Sequence, residues 1–306
     1  MKKILLLLAF FASCQLVSAQ DEAIFSHYII TPVLINPAAA GFSDVHQLQL
    51  NARAQWTGFV DAPKTYSAQY NGPLGNNFGL GVGILTETAA QMNRTRAHLN
   101  YAFRFKVSEM IKLSAGFATE YQQVRLDNDV ISGVFFQEGD QVVEDFIDGR
   151  GVFDASIGVF SSFNENTKVG LSFTNLVRSR LSNVSNANES ILKYYLFFVS
   201  HKLYVDDLNF VLEPSVLIRN VKDVPSQVEI NMKASFLDES LTAGLSYRSL
   251  GALGILLGTK LSNFELYYSY DLFFQNFQRY NDGSHEVTVA MSFARGANKQ
   301  PGGKRY

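Results

Sequence analysis

The sequence predicts an all-β protein, a transmembrane antiparallel β-barrel of about 14 strands with a short non-barrel segment at its N-terminus. Three observations predict this fold: an export signal, a recurring alternation of polar and apolar residues, and the lack of a long apolar run after the signal. Alternate residues of a strand point to opposite faces. An apolar face toward lipid and a polar face toward the lumen, the interior of the barrel, is typical of outer-membrane barrels.

The first 19 residues read as a secretory signal peptide. Lys2 and Lys3 precede the apolar run Ile4–Phe11, and small residues then lead to a cut between Ala19 and Gln20. A basic start, a short apolar run and a small-residue cleavage site define such a signal. The run is too short to span a bilayer as a helix.

A lipoprotein signal is the alternative, because Cys14 follows two small residues, although Phe11 fits that motif poorly. Cleavage after Ala19 removes Cys14, the only cysteine, so we expect no disulfide and no thiol chemistry in the mature chain. That chain carries 24 basic and 28 acidic residues, a balance that does not indicate nucleic-acid binding. The 14 Tyr and 25 Phe of the full sequence suit the aromatic girdles of a barrel, but equally a large soluble core.

Residues 20–45 do not alternate and form the predicted non-barrel segment. Pro32 and Pro37 exclude a long helix or a central strand. Asn36 before Pro37 reads as the start of a turn, and the alanines that follow read as one helical turn that stops at Gly41. We expect a periplasmic or plug-like segment, ordered ahead of the barrel.

The predicted barrel covers residues 46–293. Its candidate strands are Gln47–Trp56, Thr65–Asn71, Asn77–Ile84, Thr95–Lys106, Ile111–Gln122, Gly151–Ser162, Thr167–Asn175, Ile191–Lys202, Asn209–Asn220, Gln227–Phe236, Leu241–Arg248, Leu253–Lys260, Asn263–Leu272 and Glu286–Phe293. Fourteen is an even number, as single-chain bacterial barrels require. Pro214 lies inside one candidate strand and predicts an irregularity or a bulge there.

The alternation also predicts which charged side chains point into the lumen. These are Arg53, Arg96, Arg104, Glu120, Glu213, Glu229, Lys233, Arg248, Glu265 and Asp271. Mixed charge of this kind can line a pore or close the lumen with ion pairs. The large size of several of these groups favours an obstructed lumen.

Two further stretches that break the alternation are interpreted as a loop and a tail. Leu126–Arg150 is acidic and predicts the longest outer loop, with a calcium site as the alternative, although the spacing lacks the EF-hand pattern. Residues 294–306 are rich in Gly, Lys and Arg and predict a disordered periplasmic tail.

The residues do not predict an enzyme, a cofactor or a metal site. No pair of the five histidines has metal-ligand spacing with a third ligand nearby, and the sequence contains no phosphate loop or nucleophile elbow. His98 and Glu120 are predicted inward on adjacent strands. They could form a base with its orienting carboxylate, or a plain hydrogen bond in the lumen.

Several short blocks resemble the PorP/SprF family of outer-membrane proteins. The blocks are Phe25-Ser26-x-Tyr28, Pro32, Ile35-Asn36-Pro37-Ala38 with Gly41, Arg53-x-Gln55-Trp56-x-Gly58-Phe59, Ala62-Pro63-x-Thr65, Tyr268-Ser269-Tyr270-Asp271 and Gly283-Ser284-His285-Glu286. They are spread over nearly the whole mature chain. The resemblance implies a barrel of the type IX secretion and gliding system of Bacteroidetes.

The resemblance further implies a non-enzymatic role in the cell outer membrane. Such barrels partner with a secreted protein that bears a type IX sorting domain, or with periplasmic lipoproteins of the machinery, and assist export or surface anchoring. Candidate residues for partner binding or structure are Phe25, Tyr28, Asn36, Pro37, Gly41, Arg53, Trp56, Gly58 and Pro63. A porin or small-solute transporter, an outer-membrane hydrolase and a soluble sandwich adhesin are the alternatives.

The motif residues carry more specific expectations. Inward Arg53 is expected to bind the pre-barrel segment or a partner carboxylate, and Trp56 to sit at the membrane interface where it ends the first strand. Asn36, Pro37 and Gly58 are expected to shape a segment folded into the periplasmic mouth. Each of these residues could instead only build the entrance of the barrel.

Overall fold

The computed structural model describes residues 25–127, 147–177, 194–205, 210–221, 225–249, 251–274 and 282–294. The predicted signal peptide, most of the acidic loop and the predicted tail therefore lie outside the described residues. Within them the strands are β1 (Val45–Ala54), β2 (Lys64–Leu74), β3 (Phe78–Ala89), β4 (Met92–Lys106), β5 (Ile111–Leu126), β6 (Arg150–Phe163), β7 (Thr167–Phe173), β8 (Tyr195–His201), β9 (Leu203–Val205), β10 (Phe210–Asn220), β11 (Gln227–Phe236), β12 (Leu241–Arg248), β13 (Ala252–Leu261), β14 (Phe264–Phe273) and β15 (Ser284–Ala294).

Fourteen of these strands close into an antiparallel barrel, which confirms the predicted fold class. Each pairs with its neighbours in sequence, β10 joins β8 to β11, and β15 pairs with β1 from Val45↔Ala294 to Ala54↔His285. Among the described residues no helix is long and apolar enough to cross a membrane.

The short strand β9 lies outside the closed set and pairs only with β10. It keeps the register of β8, since Leu212 opposes Leu203 just as Ser215 opposes Ser200. The pairing breaks opposite Glu213 and Pro214, because proline has no N–H to donate to a neighbouring strand. On its other side β10 keeps an unbroken register with β11. The irregularity predicted at Pro214 is therefore a broken ladder and not a bulge.

The alternating pattern maps onto the two faces of the wall. In β1 the apolar Leu48 and Leu50 are 43% and 53% exposed on the outside, whereas Gln49, Asn51 and Arg53 are buried on the inside. In a strand of a soluble protein the apolar side chains are buried and the polar ones are exposed, so the arrangement in this wall is the reverse. It follows from lipid contact outside and a filled interior.

The two ends of the barrel differ in the length of their connections. Residues 75–77, 107–110, 164–166, 237–240 and 262–263 form short turns at one end. The longest stretches between strands, from β5 to β6 and from β7 to β8, leave and rejoin the wall at the other end. Bacterial barrels place short turns in the periplasm and long loops outside the cell. The end where β1 begins and β15 finishes is thus the periplasmic end.

Residues 25–44, called the plug from here on, lie inside the lumen. The plug contains three short 3-10 turns, His27–Ile29, Pro32–Leu34 and Pro37–Ala39, and two of them begin with proline, which suits a first helical position. Its buried side chains pack against wall residues in one apolar cluster, Tyr28, Val33, Ala38, Ala39, Ala40, Phe42, Ala102, Phe160, Phe198 and Leu217. The plug descends from the level of Arg53 to the periplasmic start of β1.

Candidate functional site

The outer end of the plug is held by a cluster of buried charges, here called the ionic anchor: Ser26, Arg53, Glu229, Arg248, Asp271 and Glu286. Arg53 donates from Nη1 to Glu286 Oε2 at 2.8 Å and from Nη2 to Asp271 Oδ2 at 2.7 Å. Its Nη1 also donates to the Ser26 hydroxyl at 3.0 Å. Arg53 was expected to bind the pre-barrel segment or a partner carboxylate. In the structure it contacts Ser26 of that segment and two carboxylates of the barrel's own wall.

Arg248 of β12, a strand four places from β1 in the barrel wall, holds the same serine. It donates from Nε to Glu229 Oε2 at 2.8 Å, from Nη1 to Asp271 Oδ2 at 3.0 Å and from Nη2 to the Ser26 hydroxyl at 2.6 Å. The Ser26 backbone N–H donates to Glu286 Oε2 at 2.8 Å. The Ser26 hydroxyl donates to Asp271 Oδ2 at 3.3 Å, so one small plug residue is bonded to four side chains of the wall.

All members of the ionic anchor are less than 9% exposed. Two guanidinium groups face three carboxylates, and buried charges are tolerated only when they are paired and hydrogen-bonded. Loss of either arginine would leave buried carboxylates without that cation. The ionic anchor therefore ties the position of the plug to the register of β1, β11, β12, β14 and β15.

His27 lies next to the ionic anchor and is fully buried. Its Nδ1 lies 2.6 Å from the Thr288 hydroxyl and 3.5 Å from Glu286 Oε1. Burial lowers the pKa of His27 and outweighs the opposing effect of Glu286, so the ring is neutral at pH 7.

Strand register explains why distant sequence blocks meet at the ionic anchor. Arg53 opposes Glu286 in the β1–β15 ladder, and Glu286 opposes Ser269 in the next ladder, two residues from Asp271. The blocks that carry the family resemblance at both ends of the chain are therefore neighbours in the barrel wall.

The outer loops next to the ionic anchor are joined by backbone hydrogen bonds. Thr57 N–H donates to Gly283 O at 2.9 Å, and Asp282 N–H donates to Thr57 O at 2.6 Å. Gly58 has φ +100°, a conformation that favours glycine, and it faces the Asp282 carboxylate. Gly58 lies at the outer end of the barrel, so the expectation that it shapes the periplasmic mouth is wrong.

Trp56 and Pro63 belong to the same outer loop. The β1 strand ends at Ala54, so Trp56 follows the strand instead of ending it, with φ +49° and its ring 6.4 Å from that of Phe273. Pro63 O accepts from the Gln55 N–H at 2.8 Å. Both residues help to set the path of the loop from β1 to β2.

The middle of the plug is held by Tyr28 and Asn36. The Tyr28 hydroxyl accepts from Asn231 Nδ2 at 2.8 Å, and its ring meets that of Phe198 edge to face at 6.1 Å. Asn36 caps the turn that Pro37 begins by accepting from the Ala38 N–H at 2.9 Å. The same Asn36 side chain donates to Val159 O at 2.9 Å, which bonds the cap to β6.

Inward glycines on neighbouring strands mark the path of the plug. A Cβ added at Gly79, Gly116 or Gly158 would meet Ala40 O, Ala38 N and Asn36 Oδ1 respectively, closer than atoms can approach. These glycines, called the glycine track, let the plug backbone lie directly on β3, β5 and β6. On β3 the residue that seats the plug is Gly79.

The periplasmic end of the plug is fastened by a second set of charges. Arg104 donates to Gly41 O and, at 2.7 Å, to Asp44 Oδ1, and Lys112 donates to Asp44 Oδ2 at 2.7 Å and to Phe42 O at 2.6 Å. Gly41 has φ +61° and donates its N–H to Asn71 Oδ1 at 2.5 Å. Burial raises the pKa of Asp44, but the hydrogen bonds from Lys112 and Arg104 outweigh it and hold that pKa below its usual range.

His98 and Glu120 oppose each other in the β4–β5 ladder, as predicted. They do not form a base–carboxylate pair, because Glu120 pairs instead with Arg96 at 3.2 Å. Within the described ranges no three His, Cys, Asp or Glu side chains converge on a possible metal position.

The sequence did not indicate the partners in these clusters. Alternation placed Arg53, Arg248, Glu229 and Asp271 in the lumen, but the pairing of β1 with β15 follows from closure of the barrel. Ser26 stands inside a motif block, but a lone serine in a sequence does not indicate a binding role. Ala19 and Gln20 lie outside the described residues, and Phe25 lines a cavity on the outer side of the plug.

Comparison with known proteins supports the fold and gives a family. The sequence model of a family described as "Type IX secretion system membrane protein PorP/SprF" matches residues 17–291. No individually curated protein matches the chain significantly.

A solved channel shares the fold at low sequence identity, and two other solved proteins are similar over most of this chain. A TodX deletion mutant, described as a monoaromatic hydrocarbon channel, has a TM-score of 0.52 and 8% identity, with 89% of this chain and 95% of that chain covered. The toluene transporter TodX of Pseudomonas putida has a TM-score of 0.48 and 8% identity over 90% of this chain and 94% of its own. Omp33 of Acinetobacter baumannii has a TM-score of 0.48 and 8% identity over 82% and 99%.

Proposed function

Because this chain belongs to the PorP/SprF family of type IX secretion system membrane proteins, we propose that it is a non-enzymatic accessory barrel of that system. It assists export or surface anchoring of a secreted protein that bears a sorting domain, or links the outer membrane to periplasmic lipoproteins of the machinery. The chain is an outer-membrane β-barrel that crosses the bilayer many times.

The observation that carries this proposal is the anchored plug. Arg53 and Arg248 hold the outer end of the plug by hydrogen bonds to Ser26, and Arg104 and Lys112 hold its periplasmic end by salt bridges to Asp44. A diffusion porin or small-solute transporter, the alternative function, needs a path that these contacts obstruct. A closed barrel with a fixed interior suits a protein that presents surfaces to partners.

The motif residues have structural roles that are compatible with this function. Asn36, Pro37 and Gly41 seat the plug, while Trp56, Gly58 and Pro63 shape loops on the outer side. We propose that the outer loop, residues 55–63, belongs to the surface that a secreted partner meets. Residues 1–19 are proposed to be removed as a signal peptide before the barrel inserts.

Deletion of the gene in the native bacterium tests the proposal. The amount of each sorting-domain protein on the cell surface is measured by protease shaving and mass spectrometry, in the deletion strain and after complementation. We expect one or a few of these proteins to disappear from the surface and to return on complementation. Unchanged surface display of every sorting-domain protein would refute the proposed function.

A further inference from the structure

A cavity lies on the outer side of the plug and is called the outer vestibule here. It has a volume of about 160 Å³ and is lined on one side by plug side chains, among them Phe25, Leu34 and Ile35. These three apolar side chains are only partly buried, and the apolar wall residues Leu85, Leu196 and Val228 line the same cavity. An apolar surface of this kind inside a barrel gains stability when another apolar group covers it.

The wall of the outer vestibule is charged but balanced. Three arginines, Arg96, Arg219 and Arg248, face three carboxylates, Glu120, Asp154 and Glu229. Arg96 pairs with Glu120 at 3.2 Å, and Arg248 pairs with Glu229 at 2.8 Å. Because the charges cancel, the wall does not favour an isolated anion or cation.

The same wall offers both hydrogen-bond donors and acceptors. The amides of Asn100, Asn175 and Gln227 line it together with the hydroxyls of Ser156 and Thr174. A polypeptide backbone presents one N–H and one C=O per residue and needs partners of both kinds. The wall therefore matches a peptide better than a ligand that only accepts or only donates.

The size of the cavity limits what enters it. A cavity of about 150 Å³ lined by apolar side chains binds benzene, so the outer vestibule has room for one aromatic or branched aliphatic side chain. A buried apolar side chain surrounded by polar contacts is the usual centre of a protein interface.

We propose that the outer vestibule binds one apolar side chain of an extended polypeptide segment, whose backbone is bound by the polar wall. This inference rests on the proposed function, since a secreted protein at the outer face supplies such a segment. It names the site at which the barrel meets that protein.

Selection of peptides on the purified full-length barrel tests this inference. A phage-displayed library of random heptapeptides is panned against the barrel in nanodiscs, with empty nanodiscs as the subtraction. We expect the recovered peptides to share one aromatic or branched aliphatic residue. The best peptide is then labelled, and its Kd is measured for the wild type and for variants.

Leu34→Gln places an amide in the outer vestibule and is expected to weaken binding of that peptide by about tenfold or more. Ile29→Gln is the matched control, because Ile29 lies in the same plug and packs on the same core but lines the opposite side of the lumen. We expect Ile29→Gln to change Kd less than about twofold. If Leu34→Gln fails to fold, as judged by heat-modifiable migration, Phe25→Ser replaces it.

Two outcomes would overturn the inference: no peptide is recovered above empty nanodiscs, or Leu34→Gln and Ile29→Gln bind the peptide alike. If deletion of the gene abolishes surface display but the peptide tests fail, the inference about the outer vestibule is refuted and the proposed function stands. If the peptide binds as expected but surface display is unchanged in the deletion strain, the proposed function is refuted.

Discussion

At the scale of single residues, buried charged side chains hold the plug in the lumen. The alternation of polar and apolar residues predicts that these side chains point inward. A period of two places Arg53, Arg248 and Asp271 inside, and all three are less than 9% exposed. Their partners were not predictable, because Arg53 is more than 200 positions from Asp271 and Glu286 in sequence. Only closure of the barrel between β1 and β15 brings these groups within hydrogen-bond distance.

Arg53→Ala is expected to destabilise the folded barrel by roughly 3–5 kcal/mol, since it leaves buried Asp271 and Glu286 without a shared cation. Lys260→Ala is the control, because Lys260 is 43% exposed and its pair with Glu265 is expected to contribute about 0–1 kcal/mol. Urea unfolding in detergent micelles, followed by heat-modifiable migration, measures both. Equal stability of the two variants would contradict the assigned role of the ionic anchor.

The buried His27 predicts a pH dependence of stability. Its pKa is lowered in the folded state by burial, so between its usual value of 6.5 and the folded value the unfolded chain binds more protons than the folded one. Stability is therefore complete above about pH 6.5 and falls as pH decreases, by about 1.4 kcal/mol per pH unit within that window.

His27→Gln should remove this part of the pH dependence. The unfolding midpoint of both proteins is measured at pH 8, 6.5 and 5, and the difference between them cancels the titration of carboxylates that they share. The expected result is a steeper loss of stability for the wild type between pH 6.5 and 5. Parallel curves would show that His27 is not buried as a neutral ring.

At the scale of elements, the strands were predictable and the placement of the plug was not. Apolar and polar residues alternate over long stretches, and strand β12 begins and ends where predicted, at Leu241 and Arg248. The prolines of the plug excluded regular structure but carried no information about its position. The inward glycines of β3 were visible in the sequence, yet only the structure shows that they lie against the plug.

Gly116→Val is expected to displace the plug, because the new side chain would overlap the backbone of Ala38. The measurement is the rate at which maleimide labels a cysteine introduced in the plug by Ala39→Cys. Because Ala39 is buried, this cysteine is protected while the plug is in place. We expect the cysteine at position 39 to be labelled about tenfold faster or more. A decrease of about 1.4 kcal/mol in the free energy of local opening makes the open state about ten times more populated.

Gly244→Val is the matched control for this substitution. Gly244 is also an inward glycine, but an added Cβ there meets only the Leu256 side chain at 3.2 Å and 3.4 Å and Met232 O at 3.5 Å. The introduced cysteine should stay protected in the Gly244→Val background. Protection in both backgrounds would contradict the glycine track as the seat of the plug.

At the scale of the whole molecule, the chain is a closed barrel of 14 strands whose interior is filled by its own N-terminal segment. The strand number follows from the number of alternating stretches, which the sequence displays directly. The filled interior follows from contacts between the first and last parts of the chain, which a single sequence does not display. The filled interior is also the observation on which the proposed function rests.

Planar-bilayer recording of the purified full-length barrel tests this central claim most directly. A variant that lacks residues 25–42 serves as the control and is expected to conduct, which shows that insertion is detectable. The account predicts that the wild-type barrel inserts without conducting. Steady single-channel steps from the wild type would contradict it and would favour a porin or small-solute transporter.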